Sequence, residues 1–305
     1  MVSTEPAYIR TAASGALSQK IRDSWKILAN CELCPRLCGV DRLAGETGIC
    51  KTPKEALISS FNAHFGEEAP LVGRNGSGTI FFTHCNLMCC FCQNFDISHK
   101  GWGHSVNDEE LAAIMIAIQD EGCHNLNLVT PSHVVPQILS ALEKAVSAGL
   151  TLPIVYNSGG YDRVETLRLL EGVVDIYMPD FKFWDSGIAK AACDAPDYPH
   201  TAKAAIAEMH RQVGDLKIDE HGIARSGLLV RHLVLPEELA GTRHIMRFLH
   251  DSISPNTYVN IMPQYRPCGN AHKVKGLGRR ITSEEFQAVR EAAREEGITR
   301  LDRIR

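Results

Sequence analysis

The sequence has no run of 18 consecutive apolar residues, and its first thirty residues lack a charged start, an apolar stretch and a small-residue cleavage site. Neither a membrane span nor a secretory signal is therefore expected. Charge of one sign is also scarce: 32 Lys and Arg against 36 Asp and Glu leave −4. That is too weak to make nucleic acid or an acidic membrane the default partner. Low-complexity tracts and internal repeats are missing, and 44% apolar with 22% charged residues exclude a disordered or collagen-like chain. An even set of cysteines is lacking too: there are eleven, and an odd total in a chain without an export signal argues for metal ligation or thiolate chemistry over a disulfide framework. The expectation is a cytoplasmic chain of 305 residues with one large domain or two modest ones.

What is present is a rhythm. From about residue 78, short apolar runs alternate with helical patterns. The strand candidates are 78–84 (GTIFFTH), 124–130 (HNLNLVT), 152–158 (LPIVYNS), 173–179 (VVDIYMP), 227–236 (GLLVRHLVLP) and 257–263 (TYVNIMP). They are nearly continuous in Val, Ile, Leu, Tyr and Phe, as parallel strands covered on both faces must be. Helices are expected between them: one capped at Ser105 or Asn107, others over 133–147 and 162–171, one from near Gly241, and one opened by Thr282 and Glu285 in capping-box spacing. Strands joined by crossover helices form right-handed βαβ units, which predicts an α/β barrel or a large fragment of one. The barrel is assigned to 78–305. Residues 1–77 are assigned to an N-terminal module with a helix over about 15–29, a cysteine group and a strand candidate, EALISSFNAHF. A second irregular stretch, 185–226, holds a helix-like AKAAIAEMHRQVG and a hairpin-like KIDEHGIARS turning at Gly222. The basic run HKVKGLGRR reads as a solvated or phosphate-facing loop, not a nucleic-acid site.

Cys85, Cys89 and Cys92 read C-x3-C-x2-C directly after the first barrel strand. Three thiolates so close wrap one small metal centre, and a 4Fe-4S cluster takes four ligands, one per iron. Only three are supplied, so one iron is left open to a non-protein ligand, which suits chemistry better than simple electron transfer. The location agrees, because barrel active sites sit at the C-terminal ends of strands. Cys90 competes for the fourth position, but its adjacency to Cys89 makes joint ligation awkward.

With these residues in hand, the sequence resembles the radical S-adenosylmethionine (SAM) enzymes. Within them it is similar to the branch related to pyruvate formate-lyase-activating enzymes, and to its members with a cysteine-rich N-terminus. The resemblance is carried by GTIFFTHCNLMCCFCQN (78–94), NLVTPSH (127–133), YNSGGYD (156–162), IYMPDFKFWD (176–185), LLVRHLVLP (228–236) and NIMPQYRP (260–267). It implies a partial (β/α)6 TIM-like barrel, a 4Fe-4S cluster on Cys85, Cys89 and Cys92, and reductive cleavage of SAM to a 5'-deoxyadenosyl radical that abstracts hydrogen from a substrate. It also implies SAM contacts. Phe91 would pack near the adenine. Thr130 and Ser132 stand where family members carry Gly-Gly-Glu for the SAM amino group, and Asn157 stands where activases have an Asp. Asp180 and Lys182 match an Asp-x-Lys, and Lys182 or Arg231 would hold the SAM carboxylate. Gln264 and Tyr265 fall where a His faces adenosine. For the charged residues the plain alternative is a structural ion pair.

Cys31, Cys34, Cys38 and Cys50 read C-x2-C-x3-C-x11-C, four soft ligands that suit either tetrahedral zinc or a closed second iron–sulfur cluster. His64, Glu67 and Glu68 are expected at the surface. Cys268 is expected as a buried thiol, while Cys123 and Cys193 carry no motif. The reading is a radical SAM enzyme acting on a protein or peptide, glycyl-radical activation being the nearest analogy, with a flavodoxin- or ferredoxin-type reductant. Radical modification of a small metabolite and a non-catalytic iron–sulfur electron carrier are its rivals.

Overall fold

The computed structural model describes residues 5–303. Ten strands follow one another along the described chain: β1 (Ala56–His64), β2 (Ser77–Phe82), β3 (His104–Val106), β4 (Leu126–Val129), β5 (Ile154–Ser158), β6 (Ile176–Pro179), β7 (Lys217–Ile218), β8 (Ala224–Leu233), β9 (Tyr258–Met262) and β10 (Arg300–Leu301). The six apolar runs expected as strands are β2, β4, β5, β6, β8 and β9, and each pairs with the next in parallel. Every residue of β5 is buried, as the unbroken apolar pattern requires of a strand covered on both sides. β10 extends the parallel sheet beyond β9, while β1 lies antiparallel on β2 and β3 antiparallel on β1. β7 forms the expected hairpin with β8, turning through Gly222 at φ 81°.

Helices cover the sheet between strands. The principal crossovers are α1 (Asp108–Asp120), α2 (Val135–Ser147), α3 (Val164–Leu169) and, after an inserted helix α4 (Ser186–Cys193), α5 (Tyr198–Val213). α1 starts at a full capping box, Asn107 with Glu110, and α2 tolerates Pro136 because it stands in the first turn. α6 (Thr242–Phe248) and α7 (Ser283–Glu295) complete the set, the latter capped by Thr282 and Glu285 as the spacing predicts. The N-terminal helix expected over about 15–29 is Ala16–Lys26, continued by a tighter turn over Ile27–Asn30; a further helix, Ala7–Ala13, precedes it, and Gly15 at φ 76° separates the two.

The architecture is α/β, a curled and mainly parallel sheet whose edges, β3 and β10, do not pair with each other. Instead of strand pairing, the segment after β1 spans the gap. Asn260 on β9 donates from Nδ2 to Glu68 Oε1 at 2.8 Å, and the Ala69 amide lies 3.3 Å from Asp302, which also accepts from Tyr258. A partial barrel of this kind collects the C-terminal ends of β2, β4, β5, β6 and β8 around one mouth.

Candidate active site

The loop leaving β2 carries the three cysteines in a backbone that ordinary residues adopt reluctantly: His84 has φ 66° and Met88 φ 56°. Outside contacts hold it there. Asn86 donates from Nδ2 to the Tyr161 carbonyl at 2.6 Å, and Cys90 is pinned on both sides, N–H to Ala192 and C=O to Asn270. Cys85, Cys89 and Cys92 all line one cavity of about 160 Å³, together with Thr130, Asn157 and Lys182. Neither Cys90 nor Cys193, whose thiol meets that of Cys89, lines it, so the chain offers that space three thiols.

Behind the cysteines runs a chain of buried charge. Asp180 takes Lys182 Nζ on one oxygen and Arg231 Nε on the other, the latter at 2.8 Å. Arg231 continues to Glu67 at 3.8 Å, and Glu67 to His64 Nδ1 at 3.4 Å. Burial alone would raise the Asp180 carboxyl, but Arg231 and Lys182 outweigh it and hold it below the usual carboxylate range. Burial works against the Lys182 ammonium as well, yet Asp180 and the neighbouring Cys89 keep it protonated. A fixed cation thus stands beside the thiols. Tyr198 positions it: its hydroxyl accepts from the Lys182 amide at 2.9 Å and donates toward the carbonyls of Gly159 and Asp180. Gly160, at φ 74°, allows this close approach, since a β-carbon there would lie 2.1 Å from the Asp180 oxygen.

The thiols respond to their surroundings. Burial, then repulsion from Cys89, pushes Cys85 up to about 12. Burial also raises Cys92. Cys89 moves down, chiefly through a hydrogen bond with the Cys193 thiol and further through Lys182. Cys85 and Cys92, held up by burial, ionise readily only with a metal to bind. Among the described residues no three His, Cys, Asp or Glu side chains converge as a single metal ion requires. A multinuclear cluster does not ask for that convergence, because each thiolate binds its own iron. The donor set therefore fits a 4Fe-4S cluster.

Most of the residues expected to contact SAM come together here. Thr130, Asn157, Asp180, Lys182 and Arg231 line the first cavity. Phe91 and Gln264 line an adjoining space of about 210 Å³ that shares Cys89, Cys92 and the charged residues. Thr130 sits at φ 61° with its amide donating to the Asn157 carbonyl, and of the Thr-Pro-Ser-His turn it is Thr130 that lines the cavity. Two residues have prior commitments. Ser132 is buried against Tyr156 and Asp162, and the Tyr265 hydroxyl donates to Leu277 while its ring packs edge-on against Phe91. The surface expected for Glu67 and Glu68 is corrected: they are 9% and 3% exposed, because the segment after β1 turns into the barrel to bridge its edges. Burial pushes the Glu68 carboxyl up to about 7, and its Oε2 has no partner.

The second cysteine group also gathers. Cys31, Cys34 and Cys50 are buried, and Cys34 is pushed up to about 12 by burial and then by the other three thiols of the group. None of the eleven cysteines is in a disulfide. Two arginines that sequence reasoning missed dock this module on the barrel. Arg42, 1% exposed, donates to the His133 and Pro53 carbonyls at 2.8 and 2.7 Å. Arg36 reaches the carbonyls of Asn86, Leu87 and Cys193.

No protein-family model matches the chain. It is 33% identical over 285 residues to Uncharacterized protein MJ0674 of Methanocaldococcus jannaschii, an alignment covering 91% of this chain and 78% of that protein. The chain belongs to the family of that protein. Among solved structures, a radical SAM methyltransferase from Sphaerobacter thermophilus superposes with a TM-score of 0.49 at 14% identity, over 74% of this chain and 67% of that one. So remote a likeness decides nothing about function.

Proposed function

We propose that this member of the family of Uncharacterized protein MJ0674 is a radical SAM enzyme. One observation carries the reading: three thiols of a single loop and a buried Asp180–Lys182–Arg231 network border the same cavity at the C-terminal ends of the strands. The cluster fits on Cys85, Cys89 and Cys92 and, when bound, supplies the electron that cleaves SAM to methionine and a hydrogen-abstracting 5'-deoxyadenosyl radical. The chain's own residues orient and enclose. Lys182, fixed by Asp180 and Tyr198, offers a point charge to the SAM carboxylate, and Arg231 a planar fork. The turn at Thr130 and the Asn157 side chain offer acceptors to its ammonium. Phe91, wedged between Phe183 and Tyr265 at 5.9 and 5.7 Å, gives the adenine an apolar wall.

The substrate we propose is a protein or peptide, by analogy with glycyl-radical activation, with reduced flavodoxin or ferredoxin as electron source. A small metabolite is the second reading, supported by the modest size of the two cavities, about 160 and about 210 Å³. The test is anaerobic: reconstituted protein, a strong reductant, SAM and a deuterium-labelled cell extract, with 5'-deoxyadenosine examined by mass for deuterium. Label carried only by large extract fractions supports the polypeptide, and label from small-molecule fractions supports the metabolite. Bound SAM with a full iron complement and no 5'-deoxyadenosine would leave an iron–sulfur carrier.

A further inference from the structure

The N-terminal cysteines lie outside the site just described, and backbone hydrogen bonds bring them together. The Cys31 amide donates to Val40 at 2.9 Å and the Gly39 amide to Cys31 at 3.1 Å, which sets Cys38 beside Cys31. The Ile49 amide donates to Cys38 Sγ at 3.5 Å, and a β-carbon on Gly48 would stand 2.6 Å from that sulfur, so the segment ending in Cys50 closes tightly over it.

Two further observations concern what this group faces. On one side is the barrel centre. Arg36, between Cys34 and Cys38, donates to Asn86 at 2.9 Å and Leu87 at 3.2 Å, both between Cys85 and Cys89, and to Cys193 at 2.8 Å. Its guanidinium also lies 5.3 Å from the Tyr161 ring. The two cysteine groups are thus one side chain apart. On the other side is solvent, met by Leu37, Leu43 and Ile49 at 53%, 41% and 50% exposure, three of the six large apolar residues exposed among the described residues. A zinc brace asks for side chains that converge on a single ion, and among the described residues no three do.

We propose that Cys31, Cys34, Cys38 and Cys50 hold a four-iron cluster that receives one electron at a time from a reduced flavodoxin- or ferredoxin-class protein docked on the Leu37–Leu43–Ile49 rim, and passes it across the Arg36 contact to the barrel centre. Each step moves one electron and no atom: the donor's cofactor is oxidised, and the SAM sulfonium is the final acceptor. The metal site stands by itself, while the electron-entry role rests on the radical SAM reading.

The full chain, reconstituted anaerobically, is assayed for iron, sulfide and zinc and by electron paramagnetic resonance. About eight irons per chain are expected, falling to about four in Cys34→Ser and, separately, in the triple Cys85→Ser, Cys89→Ser, Cys92→Ser variant. About four irons with one zinc, the zinc lost from Cys34→Ser, overturns the cluster. For electron entry, 5'-deoxyadenosine formation is compared with reduced flavodoxin and with dithionite. Cys34→Ser should lose the flavodoxin-driven rate by about tenfold more than the dithionite-driven rate, and equal losses overturn the role. Ile49→Glu keeps all the thiols and should slow the flavodoxin-driven rate by about tenfold at full iron content, which keeps the test decisive if Cys34→Ser does not fold. An unchanged rate in Ile49→Glu removes the rim as the docking surface. Eight irons without 5'-deoxyadenosine from either reductant would sink the radical SAM reading and leave the second cluster standing.

Discussion

The two cysteine groups use the same ligand and are held in opposite ways. Cys85, Cys89 and Cys92 follow a strand locked in the sheet, face a cavity, and have a fixed cation beside them. Cys31, Cys34, Cys38 and Cys50 lie in irregular chain, held by turns, by Leu37 at φ 43° and Lys51 at φ 57°, and by arginines reaching to barrel carbonyls. Four thiolates saturate a four-iron centre and three do not. On the proposed reading, the difference in ligand number follows the difference in setting: the open set stands where a second molecule would be bound and enclosed, the complete set where only electrons would pass.

The comparison is broken most severely at the open set. Replacing Cys85, Cys89 and Cys92 together by Ala should bring SAM cleavage to background while the protein stays folded, because the strands and helices supply most of the core and the loop keeps its buried Leu87 and Phe91. Single-turnover 5'-deoxyadenosine measurement with circular dichroism checks both halves. On the other side, the module's attachment is tested by Arg42→Met. The substitution leaves the buried carbonyls of Pro53 and His133 without their donor, at a cost of about 2–4 kcal/mol in denaturant unfolding. A loss below about 0.5 kcal/mol would mean that the module is docked by other contacts. Smaller again is Lys182→Met, which removes the point charge but keeps the Asp180–Arg231 pair at 2.8 Å. SAM affinity, read by equilibrium dialysis, should weaken by roughly tenfold, or about 1.4 kcal/mol.

How much of this was legible in the sequence depended on range. The six parallel strands were, because an apolar run buried on both faces carries its own signature, and so was the capping box of α7, while the cap of α1 was legible only as Ser105 or Asn107. Asn157, Asp180, Lys182 and Arg231 were marked by the family resemblance, and the fold brings them together because each lies at or near a strand end and in a barrel those ends share one mouth. What escaped depends on contacts between distant segments. Glu67 and Glu68 look like loop residues until β1 folds back on β2 and directs them toward Asn260 and Arg231. Cys193 has no neighbouring cysteine in sequence, and only the end of α4 brings it to Cys89. Arg36 and Arg42 sit inside the cysteine motif, yet their partners are backbone carbonyls, which leave no trace in residue identity.

A last effect is expected from protons, and it sharpens the contrast because it belongs to the barrel side alone. His232 on β8 is fully buried beside Arg231, with Nδ1 at 2.7 Å from the Phe181 carbonyl and Nε2 at 2.8 Å from the Thr242 hydroxyl. That pairing is satisfied by the neutral ring, Nδ1–H donating and Nε2 accepting. Burial pushes its titration down to about 4 from the ordinary 6.5, against a smaller opposing pull from the Phe181 carbonyl and Asp180. Between those values the unfolded chain takes up a proton that the native chain refuses. The stabilisation is thus complete above pH 6.5 and is lost as the pH falls toward 4. Glu68 and Asp175, raised by burial to about 7 and about 6, act in the opposite sense, because the native state retains their protons where the unfolded chain releases them. The raw pH profile therefore mixes the signs, and the difference from a His232→Gln variant separates them. At pH 7 the variant should be less stable by about 1–2 kcal/mol through its poorer hydrogen bonds. Between pH 7 and pH 4.5 that gap should narrow by about 1–3 kcal/mol, since only the parent chain has a buried imidazole left to charge. A gap that stays constant over the range would show His232 titrating as it does in the unfolded chain, and a gap that widens would show it already protonated in the native state, with a positive charge lodged behind Arg231.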